Sequence, residues 1–298
     1  MQSARNILLI RPTNFGYNHE TAKSNAFQIK SNDVDENGIK EQALAEFDQF
    51  AGVLYSKGIN IHVVEDTEMP WKPDAVFPNN WVSFHADGTV ILYPMCAESR
   101  RNERRMDIIE MLGKEFRIEK IVDLSHFENE GRFLEGTGSI VFDHASKIAY
   151  ACLSPRTDEK LFAETSQTLG YSPISFRAVD AKNRAIYHTN VMMCIGVGFA
   201  VICLESIENA EEKEKVIESL KTNGVEIIDI SYEQINSFAG NMLAVSDENG
   251  KMFLVLSTTA LGAFTTAQIT VLKRYCELLP VAIPTIERGG GGGVRCMM

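Results

Sequence analysis

The sequence predicts an α/β fold: one domain over residues 1–298, built from five similar units in a propeller-like ring. Three observations carry that prediction. An amphipathic helical segment followed at once by a β-type run occurs five times, with successive starts 59, 58, 52 and 55 residues apart. Glycines punctuate several helix ends. One polar or reactive residue per unit keeps nearly the same beat, and in four of the five cases a second apolar strand follows it. A length of 298 residues suits either two average domains or one large closed α/β domain, and the repeat favours the second.

The helices are expected at about 40–57, 99–115, 157–170, 209–223 and 264–279. In the second, Met106, Ile108, Ile109, Leu112 and Phe116 make an apolar side against Arg, Glu and Lys. The β-runs that follow are Ile59–Val64, Ile118–Leu124, Tyr171–Phe176, Val225–Ile230 and Val281–Ile286. Gly58, Gly170 and Gly224 occupy the left-handed stop position behind three of the helices. Further strands are expected at Trp81–Phe84, Ile140–Phe142, Val191–Cys194 and Met242–Val245, with hairpin partners at Thr89–Tyr93, Ile148–Leu153, Phe199–Cys203 and Met252–Leu256. The rival architecture is a doubly wound sheet, which needs a glycine-rich turn from strand to helix. Gly289–Gly293 follows an expected strand, but the chain ends before a helix could open behind it.

The residues that keep the beat are Asn80, Glu135, His188, Asn241 and Cys296, separated by 55, 53, 53 and 55 positions. Equivalent loops of equivalent blades point into one opening, so this phase places them together. Cys296 stands out among the six cysteines because five glycines precede it, and glycine serves where a backbone turns sharply or a ligand comes close. Cys152, Cys194 and Cys203 lie in apolar runs and read as core. A thiol nucleophile needs a base or an electropositive neighbour, and His188 is the histidine in phase, with His85 and His126 near the same loops as alternatives. Glu135 is followed by Gly136-Thr137-Gly138, a loop that lets a ligand approach the backbone.

A formal charge of −11 argues against a nucleic-acid partner. The one basic stretch, Arg100–Arg105, is interrupted by Asn102 and Glu103 and reads as a solvated helix face. The sequence has no apolar run long enough to span a membrane, no signal-peptide core and no paired-cysteine metal motif, so a cytoplasmic protein with no metal is expected.

The terminal Gly-Gly-Gly-Val-Arg-Cys-Met, Leu134-Glu135-Gly136-Thr137-Gly138, Tyr187-His188-Thr189-Asn190 and Phe77-Pro78-Asn79-Asn80-Trp81 together resemble the guanidino-group-modifying superfamily. This is the group of arginine deiminase, dimethylarginine hydrolase and the amidinotransferases, and the resemblance is narrowest to the arginine-deiminase-related citrulline-utilisation hydrolases. It runs along nearly the whole chain. It implies a five-bladed α/β propeller, the pentein fold, with the ligand on the pseudo-fivefold axis and no cofactor. It further implies Cys296 as nucleophile, His188 as general acid and base, and Glu135 as the carboxylate that binds the substrate's nitrogens. Arg156 resembles the arginine that holds the substrate α-carboxylate, and Phe77, Asn80, Asn190 and Asn241 are the other expected substrate contacts.

Two positions depart from arginine deiminase, where the residues matching Asn80 and Asn190 are aspartates that hold a cationic guanidinium. Amides leave Glu135 as the only full negative charge expected in the site, and an amide suits a neutral ureido group, to which it can both donate and accept. The expected reaction is therefore citrulline to ornithine, ammonia and carbon dioxide through a covalent Cys296 adduct. An arginine-type deiminase, an N-acylarginine dihydrolase, an amidinotransferase and a non-catalytic binder of arginine-like metabolites are the alternatives. The expected partner is a small-molecule substrate, and the sequence leaves room for a homo-oligomer.

Overall fold

The computed structural model describes residues 2–30 and 35–298. Five separate sheets are formed. β1 (Asn6–Arg11) and β2 (Asn60–Glu65) pair in parallel, joined through the helix Glu36–Ser56. The other four sheets share one plan, in which two antiparallel strands are followed by a helical crossover and a third strand parallel to the second. They are β3 (Val82–Phe84), β4 (Thr89–Leu92) and β5 (Lys120–Asp123); then β6 (Val141–Asp143), β7 (Ile148–Cys152) and β8 (Ser172–Phe176). β9 (Met193–Ile195), β10 (Phe199–Ile202) and β11 (Glu226–Asp229) come next, and β12 (Leu243–Ser246), β13 (Met252–Ser257) and β14 (Glu277–Val281) last. Ser246 N donates to Ala4 O at 3.0 Å, tying the start of the chain to the last sheet. Among the described residues no sheet exceeds three strands, so the doubly wound alternative is excluded.

Local chemistry explains the repeated crossover. Asp35, Asp158 and Asn209 cap the helices Glu36–Ser56, Glu159–Thr168 and Ala210–Thr222 through side-chain acceptors for the first-turn N–H groups. Behind them Gly58, Gly170 and Gly224 take φ of 73°, 74° and 71°, a left-handed turn that reverses the chain into the next strand. The longest helix buries Ala43, Phe47, Phe50 and Leu54, spaced on one face, against β1, β13, β14 and the segment around Ile286. Each such large side chain contributes about 1.5–3 kcal/mol relative to an exposed one.

Three expectations are corrected. The segment 99–115 is two helices, Glu98–Arg101 and Met106–Leu112. The last helix starts earlier and breaks in two, Thr258–Ala263 and Thr266–Leu272, because Thr265 and Gln268 form a capping box that opens a new helix. The strand expected at Val281–Ile286 is β14, ending at Val281, and Pro284–Gly290 is helical. Proline is compatible with a first helical turn, and Ile283 and Ile286 bury in the cluster beneath the long helix. The glycine run thus sits at a helix end rather than in an open tail.

His85 and His144 have burial-depressed basicity, each lowered to about 4. Between the ordinary value of 6.5 and about 4 the unfolded chain binds more protons at these sites than the folded one. Stability is therefore expected to fall as pH drops through that window. Urea titrations at a series of pH values check this, and a midpoint constant from pH 6.5 down to 4 would contradict the burial argument.

Candidate active site

Cys296 lies in the short turn Val294–Met297, behind the helix Pro284–Gly290 and the left-handed Gly291, whose φ is 64°. The glycines are there for close approach: a Cβ at Gly290 would stand 2.6 Å from the Phe77 ring, and one at Gly293 2.7 Å from Asn241 Oδ1. The sulfur is only slightly exposed and accepts from two amides, Asn241 Nδ2 at 3.2 Å and Asn190 Nδ2 at 3.5 Å. Burial pushes the thiol up, while the two amide donors and the Arg295 guanidinium pull it down. The first effect wins, so the resting sulfur is a thiol.

His188 packs against the loop after Glu135. Its Nε2 is 2.8 Å from Glu135 Oε2, and that carboxylate also accepts from Cys96 N at 3.0 Å and from Arg156 Nη1 at 3.4 Å. Burial would raise the Glu135 carboxyl, but Arg156 and His188 reverse this and hold it well below the usual carboxylate range. An ionised carboxylate can only accept, so Nε2 carries the proton and Nδ1 keeps the lone pair of a base. Burial outweighs Glu135 and lowers His188 to about 4, leaving a neutral imidazole near neutral pH. Gly138 makes this packing feasible, since a Cβ there would come within 2.3 Å of Asn80 Nδ2 and 2.8 Å of His188 Nδ1.

A cavity of about 20 Å³ is lined by Phe77, Asn80, Tyr187, His188, Gly290–Gly292 and Cys296 together with Thr21, Asn25, Asp74, Arg100 and Arg156. It has room for about one water. Of the expected residues, Cys296, His188, Asn80, Phe77 and Arg156 line it. Asn190, Asn241 and Glu135 stand behind that wall, the two asparagines on the sulfur and Glu135 on His188. His85 and His126 do not line it.

Three residues escaped the sequence reading: Arg100, its partner Glu103, and Asp74. Arg100 is buried, which corrects the expectation of a solvated face. Its Nη1 donates to Asn80 Oδ1 at 2.8 Å, Nη2 to Phe77 O at 3.1 Å, and Nε and Nη2 to Glu103 at 2.8 and 2.7 Å. Asp74, also buried, accepts from Asn18 Nδ2 at 2.8 Å, lies 3.9 Å from Arg100 Nε, and has no partner for Oδ1. Glu135 is thus one of three carboxylates at the site, not the only one. Arg156 lies 4.9 Å from the Tyr187 ring centre and donates through Nε and Nη2 to Ser24 Oγ and through Nη2 to Thr21 O. The segment from Thr21 to Asn25 bounds part of the pocket in this way. Among the described residues no group of three or more His, Cys, Asp or Glu is placed to hold a metal, and no helix is long and apolar enough to cross a membrane.

The N-terminal domain of ArgZ bound to substrate, an arginine dihydrolase from the ornithine-ammonia cycle in cyanobacteria, superposes with a TM-score of 0.73 at 15% identity, over 98% of this chain and 96% of that one. The chain spans 40% of full-length ArgZ. AgrE in complex with ornithine and NAD+ gives 0.75 at 14% identity, over 97% of this chain and 38% of that one. A dimethylarginine dimethylaminohydrolase adduct with S-methyl-L-thiocitrulline gives 0.66 at 18% identity, over 99% and 98%. No curated protein sequence matches the chain. The family model for N,N dimethylarginine dimethylhydrolase, eukaryotic, matches residues 11–298. With that match along almost its whole length, the chain belongs to the dimethylarginine dimethylhydrolase family, hydrolases of guanidino C–N bonds within the guanidino-group-modifying superfamily.

Proposed function

We propose that the chain is a cytoplasmic cysteine hydrolase of citrulline, working at the centre of a five-bladed α/β propeller. Four three-stranded sheets of common plan and one two-stranded sheet support the propeller, and six free cysteines suit a reducing compartment. The observation that carries the substrate is the pairing of the carboxylates. Glu103 is held by Arg100, Glu135 by His188 and Arg156, and Asp74 lies beside Arg100. A guanidinium arriving at Cys296 finds no carboxylate on the sulfur, only the NH2 groups of Asn190 and Asn241. Those donors match a ureido oxygen. Elsewhere on the pocket wall, the open Oδ1 of Asp74 suits an α-ammonium and Arg156 an α-carboxylate.

The resting thiol and neutral imidazole set the order of proton transfers. Cys296 Sγ passes its proton to His188 Nδ1 as it attacks the ureido carbon. The same nitrogen then protonates the departing amine of ornithine, leaving a carbamoyl thioester. Water, losing its proton to His188, releases carbamate, which decomposes to carbon dioxide and ammonia, and the thiol recovers its proton. Glu135 stabilises the transient imidazolium and fixes its tautomer. Arginine is the second reading, favoured by the arginine dihydrolase activity of ArgZ, whose fold this chain shares.

The test compares kcat/KM for citrulline and arginine by ornithine and ammonia release, with citrulline expected to be higher. In the double variant Asn80→Asp, Asn190→Asp, each new carboxylate favours a cation and repels a ureido oxygen, so the preference should move toward arginine by on the order of 100-fold. A parent that prefers arginine, or a double variant with no relative gain for arginine, sinks the citrulline reading.

A further inference from the structure

A second cavity, of about 210 Å³, lies back to back with the first. The two share a wall in which neighbouring side chains alternate: Asn80 and Cys296 face the small pocket, Asn79 and Arg295 the large one. Among the described residues no Asp or Glu side chain lines the large cavity, which borders solvent at the exposed Phe84. Two of its polar side chains keep atoms without a partner. Arg295 is 6% exposed, donates through Nη1 to Met193 O at 3.2 Å, leaves Nε without a partner and makes no ion pair among the described residues. Asn79 is 4% exposed, and neither atom of its side-chain amide has a partner. Ile195 and Leu243 give the rest of the space an apolar character.

A buried guanidinium with no anion beside it is costly, and a buried amide with four open valences adds to the cost. One ligand class answers the guanidinium: a small monocarboxylate with an apolar body, its oxygens on Arg295. We propose that this cavity is a binding site for such a carboxylate, and that its occupancy quiets the Cys296 thiol by neutralising the only cation that neighbours it in sequence. The cavity far exceeds the roughly 10–15 Å³ that admits one water, so a branched chain of a few carbons has room. Only the effect on the thiol rests on the catalytic reading of Cys296; binding is measured without turnover, so the two ideas fail separately.

The probe is isovalerate, with the nearly isosteric neutral isovaleramide as control, followed by calorimetry and thermal shift on the whole chain. Isovalerate should bind and raise Tm, isovaleramide should do neither, and both Arg295→Leu and the cavity-filling Leu243→Trp should lose the response. Leu243 lines the large cavity and not the active pocket, so Leu243→Trp keeps the test open if Arg295→Leu does not fold. Bound isovalerate should slow iodoacetamide alkylation of Cys296 at fixed pH by roughly tenfold, the size of one pKa unit. Absence of isovalerate binding, equal binding of the amide, binding that survives Leu243→Trp, or simple competition with citrulline overturns the site. An unchanged alkylation rate with isovalerate bound overturns the coupling.

Discussion

Replacing Cys296 with alanine is expected to abolish turnover while leaving the fold in place. The sulfur is the only strong nucleophile on the active pocket, so its loss removes the covalent route, and kcat should fall by on the order of 10⁵ or more. Stability should change little. Asn241 keeps its bond to Asn190 O at 3.0 Å, and the lost contacts are weak amide-to-sulfur bonds, so the unfolding free energy should move by about 1 kcal/mol. Single-turnover assays with citrulline, paired with urea denaturation, check both halves. Activity within a few-fold of the parent would hand the chemistry to another residue.

Glu135→Gln is expected to damage both stability and rate, which separates it from a simple substrate contact. The carboxylate is fully buried and answers three donors from different parts of the chain: His188, Arg156 and Cys96 N. Neutralising it removes the one ion pair that the Arg156 guanidinium makes among the described residues, a loss of about 3 kcal/mol. It also removes the anion that fixes the His188 tautomer and stabilises the imidazolium, so kcat should drop on the order of 10³-fold or more. A residue that only held substrate would raise KM with kcat intact; that split, in steady-state kinetics with a parallel melting curve, decides between the roles.

Much of this site was legible because a repeat near 55 residues is a spatial statement as well as a sequence one. Asn80, Glu135, His188, Asn241 and Cys296 are each carried to the same region by equivalent loops, and the structure joins them through short contacts. What phase cannot say is which neighbour a side chain will take. Glu135 faces His188 rather than the cavity, and Asn241 holds the sulfur, because packing around glycines such as Gly138 and Gly293 decides direction. Asp74 and Arg100 lie off the beat. Arg100 also hid inside a charge run, where Glu103 three residues on is the ordinary mark of a solvated pair; here the pair is buried. The helix Pro284–Gly290 was missed because glycine is a poor helix former and only tertiary contacts, Phe77 against Gly290 above all, make it worthwhile.

The small pocket has a consequence for which acceptor ends the proposed reaction. An enzyme that holds a carbamoyl group on sulfur can hand it to water or to any amine that reaches the thioester, and the scaffold alone does not choose. A chamber of about 20 Å³, bounded in part by the segment that Arg156 holds at Thr21 and Ser24, chooses by size. The space fits a single water and disfavours larger nucleophiles. Loosening that segment, as in Ser24→Ala, is expected to turn hydrolysis toward transfer, with added hydroxylamine intercepting the adduct as hydroxyurea.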